Sequence, residues 1–445
     1  MRKTSLGPLS LLVGLSLAAC GGAAAPSSAP AASVAPASVA KPAASTSLAA
    51  SASAKPAASG AASGAASAKP AASGAASGAA SGAASAAGSA APKPTATFVP
   101  RVAADTTEAT ITTYPIPNAT ITGPISADIM DVDQEGHLMV VGDTSSGGVD
   151  FWDISAATPK FITTVKTPGG GPSGVIIAKN VGKVVAGIAD STVVSIDIAN
   201  KQIVGTINTG GKKRADELDY DPKDKKVYIA NSDDGIITSI DMTDFKVAKK
   251  FTDSSWVAIE QPRYDSADGM MYVTIRDPNQ LAIFDPAKDE LIKQVPLPGT
   301  RSAGIWMKPK TNMGVISVQT RPITWDFNAQ KQTGTLEQTG TPDMIYYDAK
   351  TDLYFMGESG APWGPTLGIV GGTPIKFITN VPSVPGAHQA AFDDTNNIVY
   401  FMGGVGNQAG LHGFPLPPKV LSTASAAGGA SAGAASAAAK PAASS

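Results

Sequence analysis

A short string ending in or near aspartate recurs through the middle of this 445-residue chain at nearly constant spacing. The strings are FWDIS, SIDIA, SIDMT, IFDPA and TWDFN, and their aspartates are Asp153, Asp197, Asp241, Asp285 and Asp326. Successive aspartates lie 44, 44, 44 and 41 residues apart. A repeat of that length, built from short apolar strands separated by turn residues, is typical of a β-propeller blade. The spacing therefore predicts an all-β fold of four-stranded blades arranged around an axis.

The segment Leu218–Phe251 shows the strand pattern most clearly. LDYD, KKVYIAN, IITSIDM and KVAKKF alternate apolar and polar residues and are rich in Val, Ile, Tyr and Thr, and polar turns separate them. We expect each recurring aspartate to accept hydrogen bonds within the turn that follows its strand, which is a structural role and not a catalytic one.

Seven such units can be counted along the chain. They begin near Ala127, Pro172, Ala215, Glu260, Ser302, Pro342 and Ala387, and the last is short. The segment Ala109–Pro117, ATITTYPIP, resembles the fourth strand of other blades, such as KFITTVKTP at Lys160–Pro168. We therefore predict a seven-bladed propeller whose N-terminal strand completes blade seven, a closure that removes free sheet edges.

The N-terminus has the pattern of a secretion signal. Arg2 and Lys3 precede a short apolar run, Leu6–Leu17, and LAAC at 17–20 resembles a bacterial lipobox. We predict a lipoprotein signal peptide over residues 1–20, with Cys20 lipidated. The alternative is an ordinary cleavage site with Cys20 incidental.

Two segments have a composition that does not support a core. Residues 21–94 and 422–445 consist almost entirely of Ala, Ser, Gly, Pro and Lys. We predict a disordered tether at 21–94, the propeller at 95–421 and a disordered tail at 422–445. About 75 tether residues would give a mean reach of roughly 50 Å. These features predict an extracytoplasmic protein, in the periplasm or at the cell surface, held by a lipid to a bacterial membrane.

Composition also excludes several classes of site. Cys20 is the only cysteine, so the predicted propeller has no disulfide and no cysteine-ligated metal. The net charge of −2 does not favour nucleic acid. We expect a monomer.

The blade strings resemble the YVTN family of seven-bladed propellers. The matching pieces are VVAGIADSTVVSIDIANKQIVGTI at 184–207, VYIANSDDGIITSIDMTDFKV at 227–247 and MYVTIRDPNQLAIFDPAKDELIKQV at 271–295. The resemblance implies the fold more than the activity, because that superfamily includes lactonases, quinoprotein dehydrogenase subunits and binding proteins.

The resemblance also implies a ring of residues where the innermost strands begin, at the mouth of the central channel. Aligning each blade on the family's Pro-His-Gly-Val pattern places seven residues there: Asp128, Ser173, Asp216, Glu260, Ala303, Asp343 and His388. The four acids Asp128, Asp216, Glu260 and Asp343 could bind a divalent cation such as calcium, or an organic cation, or act as acids and bases. Alternatively, each acid caps its own strand.

The loops joining the second and third strands should lie on the same face. Four of their residues complete the predicted ligand-binding set, namely Arg276, Arg321, Glu358 and Trp363. Arg214, Arg263 and Arg301 flank the ring and could pair with its acids or bind an anion.

Two functions are compatible with these residues. The first is a binding module that presents its channel face to a small molecule, a glycan or a protein. The second is a lactonase-like hydrolase or a quinone-linked dehydrogenase that uses the channel-mouth acids. The sequence favours the first, because the predicted propeller at 95–421 contains no G-x-S-x-G or H-E-x-x-H motif.

Overall fold

The computed structural model describes residues 106–117, 125, 127–319, 321–359, 364–405 and 409–421. The predicted signal peptide, tether and tail, together with Cys20 and Trp363, lie outside the described residues. Within the described ranges, no helix has both the length and the apolar character needed to cross a bilayer.

The described strands form seven antiparallel sheets of four strands each. The innermost strands are β2 (Met130–Asp133), β6 (Pro172–Ala178), β10 (Leu218–Asp221), β14 (Val257–Asp265), β18 (Ile305–Lys308), β22 (Ile345–Asp348) and β26 (Ala391–Asp393). The second strands are β3 (Leu138–Asp143), β7 (Lys183–Ile188), β11 (Lys226–Asn231), β15 (Met270–Asp277), β19 (Met313–Ile316), β23 (Leu353–Glu358) and β27 (Ile398–Gly403). The third strands are β4 (Gly148–Asp153), β8 (Thr192–Asp197), β12 (Ile236–Asp241), β16 (Gln280–Asp285), β20 (Ile323–Asp326), β24 (Thr366–Gly371) and β28 (Gly410–Pro415). The outer strands are β5 (Lys160–Lys166), β9 (Gln202–Asn208), β13 (Lys246–Thr252), β17 (Glu290–Pro296), β21 (Lys331–Thr335), β25 (Lys376–Pro382) and β1 (Thr112–Tyr114).

The seven sheets close into a ring. Each innermost strand contacts the innermost strand of the next blade, and β26 of blade seven contacts β2 of blade one. Blade seven takes its fourth strand from the other end of the described chain, because β1 pairs with β28 in the register Thr112↔Gly413 to Tyr114↔Leu411. The predicted seven-bladed propeller, closed by its N-terminal strand, is therefore confirmed.

The recurring aspartates act within their turns, as predicted. Each accepts a hydrogen bond from a backbone N–H two or three residues later: Asp153 from Ser155, Asp197 from Asn200, Asp241 from Thr243, Asp285 from Ala287 and Asp326 from Ala329. In four of these turns the fourth residue after the aspartate has a left-handed backbone: Lys201, Phe245, Asp289 and Gln330. The turn between the third and outer strands is thus repeated: an aspartate accepts a backbone hydrogen bond, and a residue with a left-handed backbone follows it.

Aromatic side chains fill the spaces between blades. Phe355 of blade six stacks on Phe392 of blade seven, with ring centroids 4.8 Å apart. Tyr272 of blade four meets Phe327 of blade five edge to face at 5.0 Å. These aromatic contacts lie between neighbouring sheets, so the stability of a blade depends on the blades beside it. The same packing holds the first residues of the innermost strands at a fixed spacing around the channel.

Candidate functional site at the channel mouth

The seven aligned residues lie where the innermost strands begin, so they share one face of the propeller. Gly174 follows the ring residue Ser173, and a Cβ there would lie 2.0 Å from the carbonyl oxygen of Asp216 in the next blade. Gly304 follows Ala303, and a Cβ there would lie 2.5 Å from the carbonyl oxygen of Asp343. These glycines let neighbouring strands approach closely, which draws the ring together.

Blades seven and one meet in an ion pair. His388 Nε2 lies 2.8 Å from Asp128 Oδ1, and His388 Nδ1 lies 2.7 Å from the carbonyl oxygen of Gly386. Burial of the imidazole lowers its pKa, but the hydrogen bond and charge of Asp128 outweigh that effect and raise the pKa of His388 to about 9. The histidine is therefore cationic at neutral pH and neutralises Asp128.

Asp216 of blade three has a partner of its own. Arg214 Nη1 lies 3.0 Å from Asp216 Oδ2, which also accepts a hydrogen bond from Ser232 Oγ at 2.9 Å. Burial raises the pKa of Asp216 to about 6 although the Arg214 charge lowers it. Its other oxygen, Oδ1, is buried and has no hydrogen-bond partner among the described residues.

Blades three, four and six share a network centred on Arg276. Its Nε lies 2.9 Å from Glu260 Oε1, and its Nη2 donates a hydrogen bond to Asp343 Oδ1 at 3.2 Å. The buried Glu217 carboxyl group lies close enough to Glu260 for each to affect the ionisation of the other. Burial raises the pKa of Glu260 to about 8, against the lowering effect of Arg276, and burial together with the Glu260 charge raises the pKa of Glu217 well above its usual range. Burial therefore favours the protonated forms of both glutamates.

Arg276 reaches from blade four to blade six because blade five has only Ala303 at the ring position. Ala303 is small and buried, so the ring position of blade five carries no polar side chain. A cavity of about 230 Å³ lies beside it, lined in part by Arg276, Arg301, Ala303 and Asp343. Where blade five has Ala303 in place of an acidic residue, a space is thus left on the channel face.

Sequence reasoning did not find the residues that follow the ring positions. Gln261 Oε1 accepts a hydrogen bond from the backbone N–H of Ile305 at 2.7 Å, and Gln389 Nε2 donates one to the carbonyl oxygen of Ala127 at 2.6 Å. Both bonds join one blade to the next, and Glu217 meets Glu260 in the same way. These residues could have been identified from the sequence, since a polar residue directly after a ring position should be buried and face the neighbouring blade.

Arg263 does not pair with a ring acid. It lies deeper in the channel, where its Nη1 is 3.3 Å from Asp219 Oδ1 and its guanidinium carbon lies 4.1 Å from the ring centroid of Trp306. Trp306 in turn contacts Tyr346 at 5.3 Å between centroids. Arg263, Trp306 and Tyr346 each follow a ring position by three residues, so they form a second layer of side chains below the mouth.

The remaining predicted residues lie apart from this network. Arg321 Nε is 4.0 Å from Glu337 Oε2, and Glu358 is buried, with Oε2 accepting a hydrogen bond from Thr366 Oγ1 at 2.9 Å. Burial raises the pKa of Glu358 to about 7, partly offset by a backbone hydrogen bond from Gly340. Ser173 is buried at the ring position of blade two. Trp363 lies outside the described residues, so its predicted role stays a prediction.

A second carboxyl pair lies in blade one. Asp143, at the end of β3, and Asp150, near the start of β4, are fully buried, and the Asp143 charge acts on the Asp150 carboxyl. Asp150 Oδ1 also accepts hydrogen bonds from Ser146 Oγ at 3.0 Å and Thr164 Oγ1 at 2.5 Å. Burial, and then the Asp143 charge, raise the pKa of Asp150 to about 8.

The acids of the ring are matched with cations. Across the described ranges, no three side chains of His, Cys, Asp or Glu are grouped as a metal ion requires. Asp128, Asp216, Glu260 and Asp343 instead pair with His388, Arg214 and Arg276. The arrangement favours a polar binding surface with fixed charges.

The comparisons with known proteins agree with the fold. No family model and no curated protein matches the chain. Among solved structures, 1662 chains match, so the fold is a common one. One is a chain of the "Crystal Structure of Mitotic Checkpoint Complex", which matches 68% of this chain and 96% of its own length with a TM-score of 0.55 and 11% identity. At that identity the likeness shows the propeller fold alone.

Proposed function

We propose that this protein is a lipid-anchored, extracytoplasmic binding module that takes its ligand or partner at the channel mouth. The observation that carries the proposal is the ring itself: charged groups from five of the seven blades converge there, each held by a neighbour, beside an open cavity at Ala303. Preorganised polar groups around a concave surface are what specific binding requires.

Two further points support a binding role. The similar propeller comes from a protein assembly, and propellers commonly serve as interaction scaffolds. The chain has the sequence pattern of a lipoprotein followed by a long low-complexity segment, which would hold the domain near a membrane while leaving its channel face accessible.

Site-specific photo-crosslinking in the source cells tests this proposal. Thr341→p-benzoylphenylalanine places the probe at the channel face, because Thr341 lines the cavity beside Ala303. Asp244→p-benzoylphenylalanine is the matched control, because Asp244 is exposed in a turn on the opposite face. We expect adducts, weighed by mass spectrometry, from position 341 and none from position 244. Equal labelling from both faces, or no adduct from position 341, would contradict the proposal.

An enzymatic role for the same acids has one observation in its favour. The raised pKa of Glu260, about 8, and the neighbouring carboxyl group of Glu217 are features of acid–base sites. If the protein is a lactonase, Glu260→Gln should abolish the hydrolysis of a lactone such as glucono-δ-lactone. Hydrolysis by the native protein no faster than that by the variant would exclude this alternative.

A further inference from the structure

Two cavities on the channel face share two arginines. The smaller, of about 230 Å³, lies above Ala303, and the larger, of about 510 Å³, lies beside it toward blade four. Both are lined by Arg276 and Arg301. We call the two together the blade-five cleft. Its size falls in the range of small-molecule sites.

The two arginines differ in what they already bind. Arg276 is committed to Glu260 and Asp343. Arg301 is exposed and forms no ion pair or side-chain hydrogen bond with any residue in the described ranges. Its guanidinium is thus available to an anion, and its planar fork matches a carboxylate.

The rest of the cleft offers neutral polar groups and one acid. In the smaller cavity, Gln319, Thr341 and Ser359 supply amide and hydroxyl groups. In the larger cavity, the exposed Asp277 supplies carboxylate oxygens that can accept hydrogen bonds from ligand hydroxyls. The cleft therefore combines a place for one negative charge with several places for hydroxyl groups.

An apolar wall completes the larger cavity. Val257, Pro296 and Leu297 line it, and Val257 is 54% exposed although it is a large hydrophobic residue. A sugar ring has an apolar C–H face between its polar edges, and such a face would cover Val257.

We propose that the blade-five cleft binds an acidic sugar, with the sugar carboxylate on Arg301, its hydroxyls on the neutral polar groups and Asp277, and its ring face on Val257. The proposal rests on the channel-face binding function proposed above and names its ligand class.

Calorimetric titration of the full chain, purified in detergent, tests the assignment. The probes are glucuronate and galacturonate, each compared with its neutral parent sugar. We expect saturable binding of at least one uronate, with a Kd between about 1 µM and 1 mM, and binding of the neutral parent at least about tenfold weaker.

Arg301→Gln should weaken uronate binding about 10- to 100-fold, because it removes a charge-assisted hydrogen bond. Arg301→Lys keeps the positive charge but lacks the planar guanidinium group. Its affinity for the uronate should therefore lie between those of the native protein and Arg301→Gln. Arg301 has φ of 52°, and Gln keeps the same backbone requirement as Arg, so the variant should fold normally. Lys249→Gln is the matched control, because Lys249 is exposed on the outer strand of blade three.

No uronate binding below about 10 mM, or equal binding by Arg301→Gln and the native protein, would overturn the assignment. Crosslinking from position 341 separates this failure from failure of the broader proposal. Adducts at position 341 without uronate binding would leave the channel-face function standing with another ligand, whereas the absence of both would refute both.

Discussion

Single buried carboxyl groups in this propeller keep their protons at pH values at which exposed carboxyl groups lose them. Asp150 is fully buried beside Asp143, and its pKa rises to about 8 because burial disfavours the charged form. Since the pKa is higher in the folded than in the unfolded protein, the folded state binds more protons between pH of about 4 and about 8. Stability linked to Asp150 is therefore complete below this window and is lost as the pH rises through it.

Asp150→Asn should flatten that pH dependence. The Asn amide does not titrate in this range, whereas Asp150 must give up its proton. We expect the free energy of unfolding of the native protein to fall by up to about 1.4 kcal/mol per pH unit more steeply than that of the variant between pH 5 and pH 8. Chemical denaturation across this range measures the difference. Parallel profiles for the two proteins would contradict the raised pKa of the buried Asp150 carboxyl.

At the scale of elements, the turns between the first and second strands of blades three and four have the same conformation. Asp221 accepts a hydrogen bond from the Lys223 N–H at 2.8 Å, and Lys225, four residues after Asp221, is left-handed with φ of 55°. In blade four, Asp265 bonds the Ala267 N–H and Gly269 takes the left-handed place with φ of 78°. Glycine satisfies this position without strain, and lysine does not.

Exchanging residue types at these two positions should move stability in opposite directions. Gly269→Ala should destabilise the protein by about 1 kcal/mol, because a Cβ there has room but the backbone disfavours it. Lys225→Gly should stabilise it by about 0.5 kcal/mol, since relief of strain exceeds the added chain entropy. Thermal unfolding of both variants measures the shifts, and shifts of the same sign would disprove the turn model.

Much of the element scale could be predicted from sequence, because strand alternation and aspartate turns are local properties. The ring positions of Asp216 and Glu260 came from the resemblance to the YVTN family, and Arg214 was among the residues expected to pair with the ring acids, as it does with Asp216. The reach of Arg276 past Ala303 to Asp343 could not be predicted, since it depends on how three blades pack. Glu217 was overlooked because its carboxyl group faces blade four, a direction that spacing within one blade does not reveal.

At the scale of the whole molecule, one short strand from the beginning of the described chain closes the ring. β1 pairs along β28, and Thr113 Oγ1 lies 3.0 Å from His412 Nδ1. Just before it, Thr107 donates a backbone hydrogen bond to the carbonyl oxygen of Asn380 in blade six. The segment thus contacts two blades.

Replacing residues 106–117 by a Gly/Ser segment of equal length should open the ring. The edge of β28 would be exposed, and unpaired strand edges promote association. We expect a fall of several degrees in Tm and a rise in light scattering at the same concentration. The same replacement at residues 422–433 is the control and should change neither quantity. A Tm of the first variant equal to that of the native protein would contradict this role of β1.

The predicted lipid anchor belongs to the same scale. Cys20→Ala should move the protein from the detergent phase to the aqueous phase in a Triton X-114 partition, because the acyl chains would be lost. Ser16→Ala, four residues earlier, is the control. Partition of the Cys20 variant into detergent would rule out lipidation at that residue.

The chain leaves blade seven on the side opposite the ring of acids. Leu416, directly after β28, donates a backbone hydrogen bond to Asn397 in the turn between the first two strands of that blade. Attachment of the protein to a sensor chip through this side of the propeller would therefore leave its channel mouth facing the flowing analyte. Coupling through the turns of the mouth would block it, so sensor experiments on the sugar site should attach the protein through the opposite side.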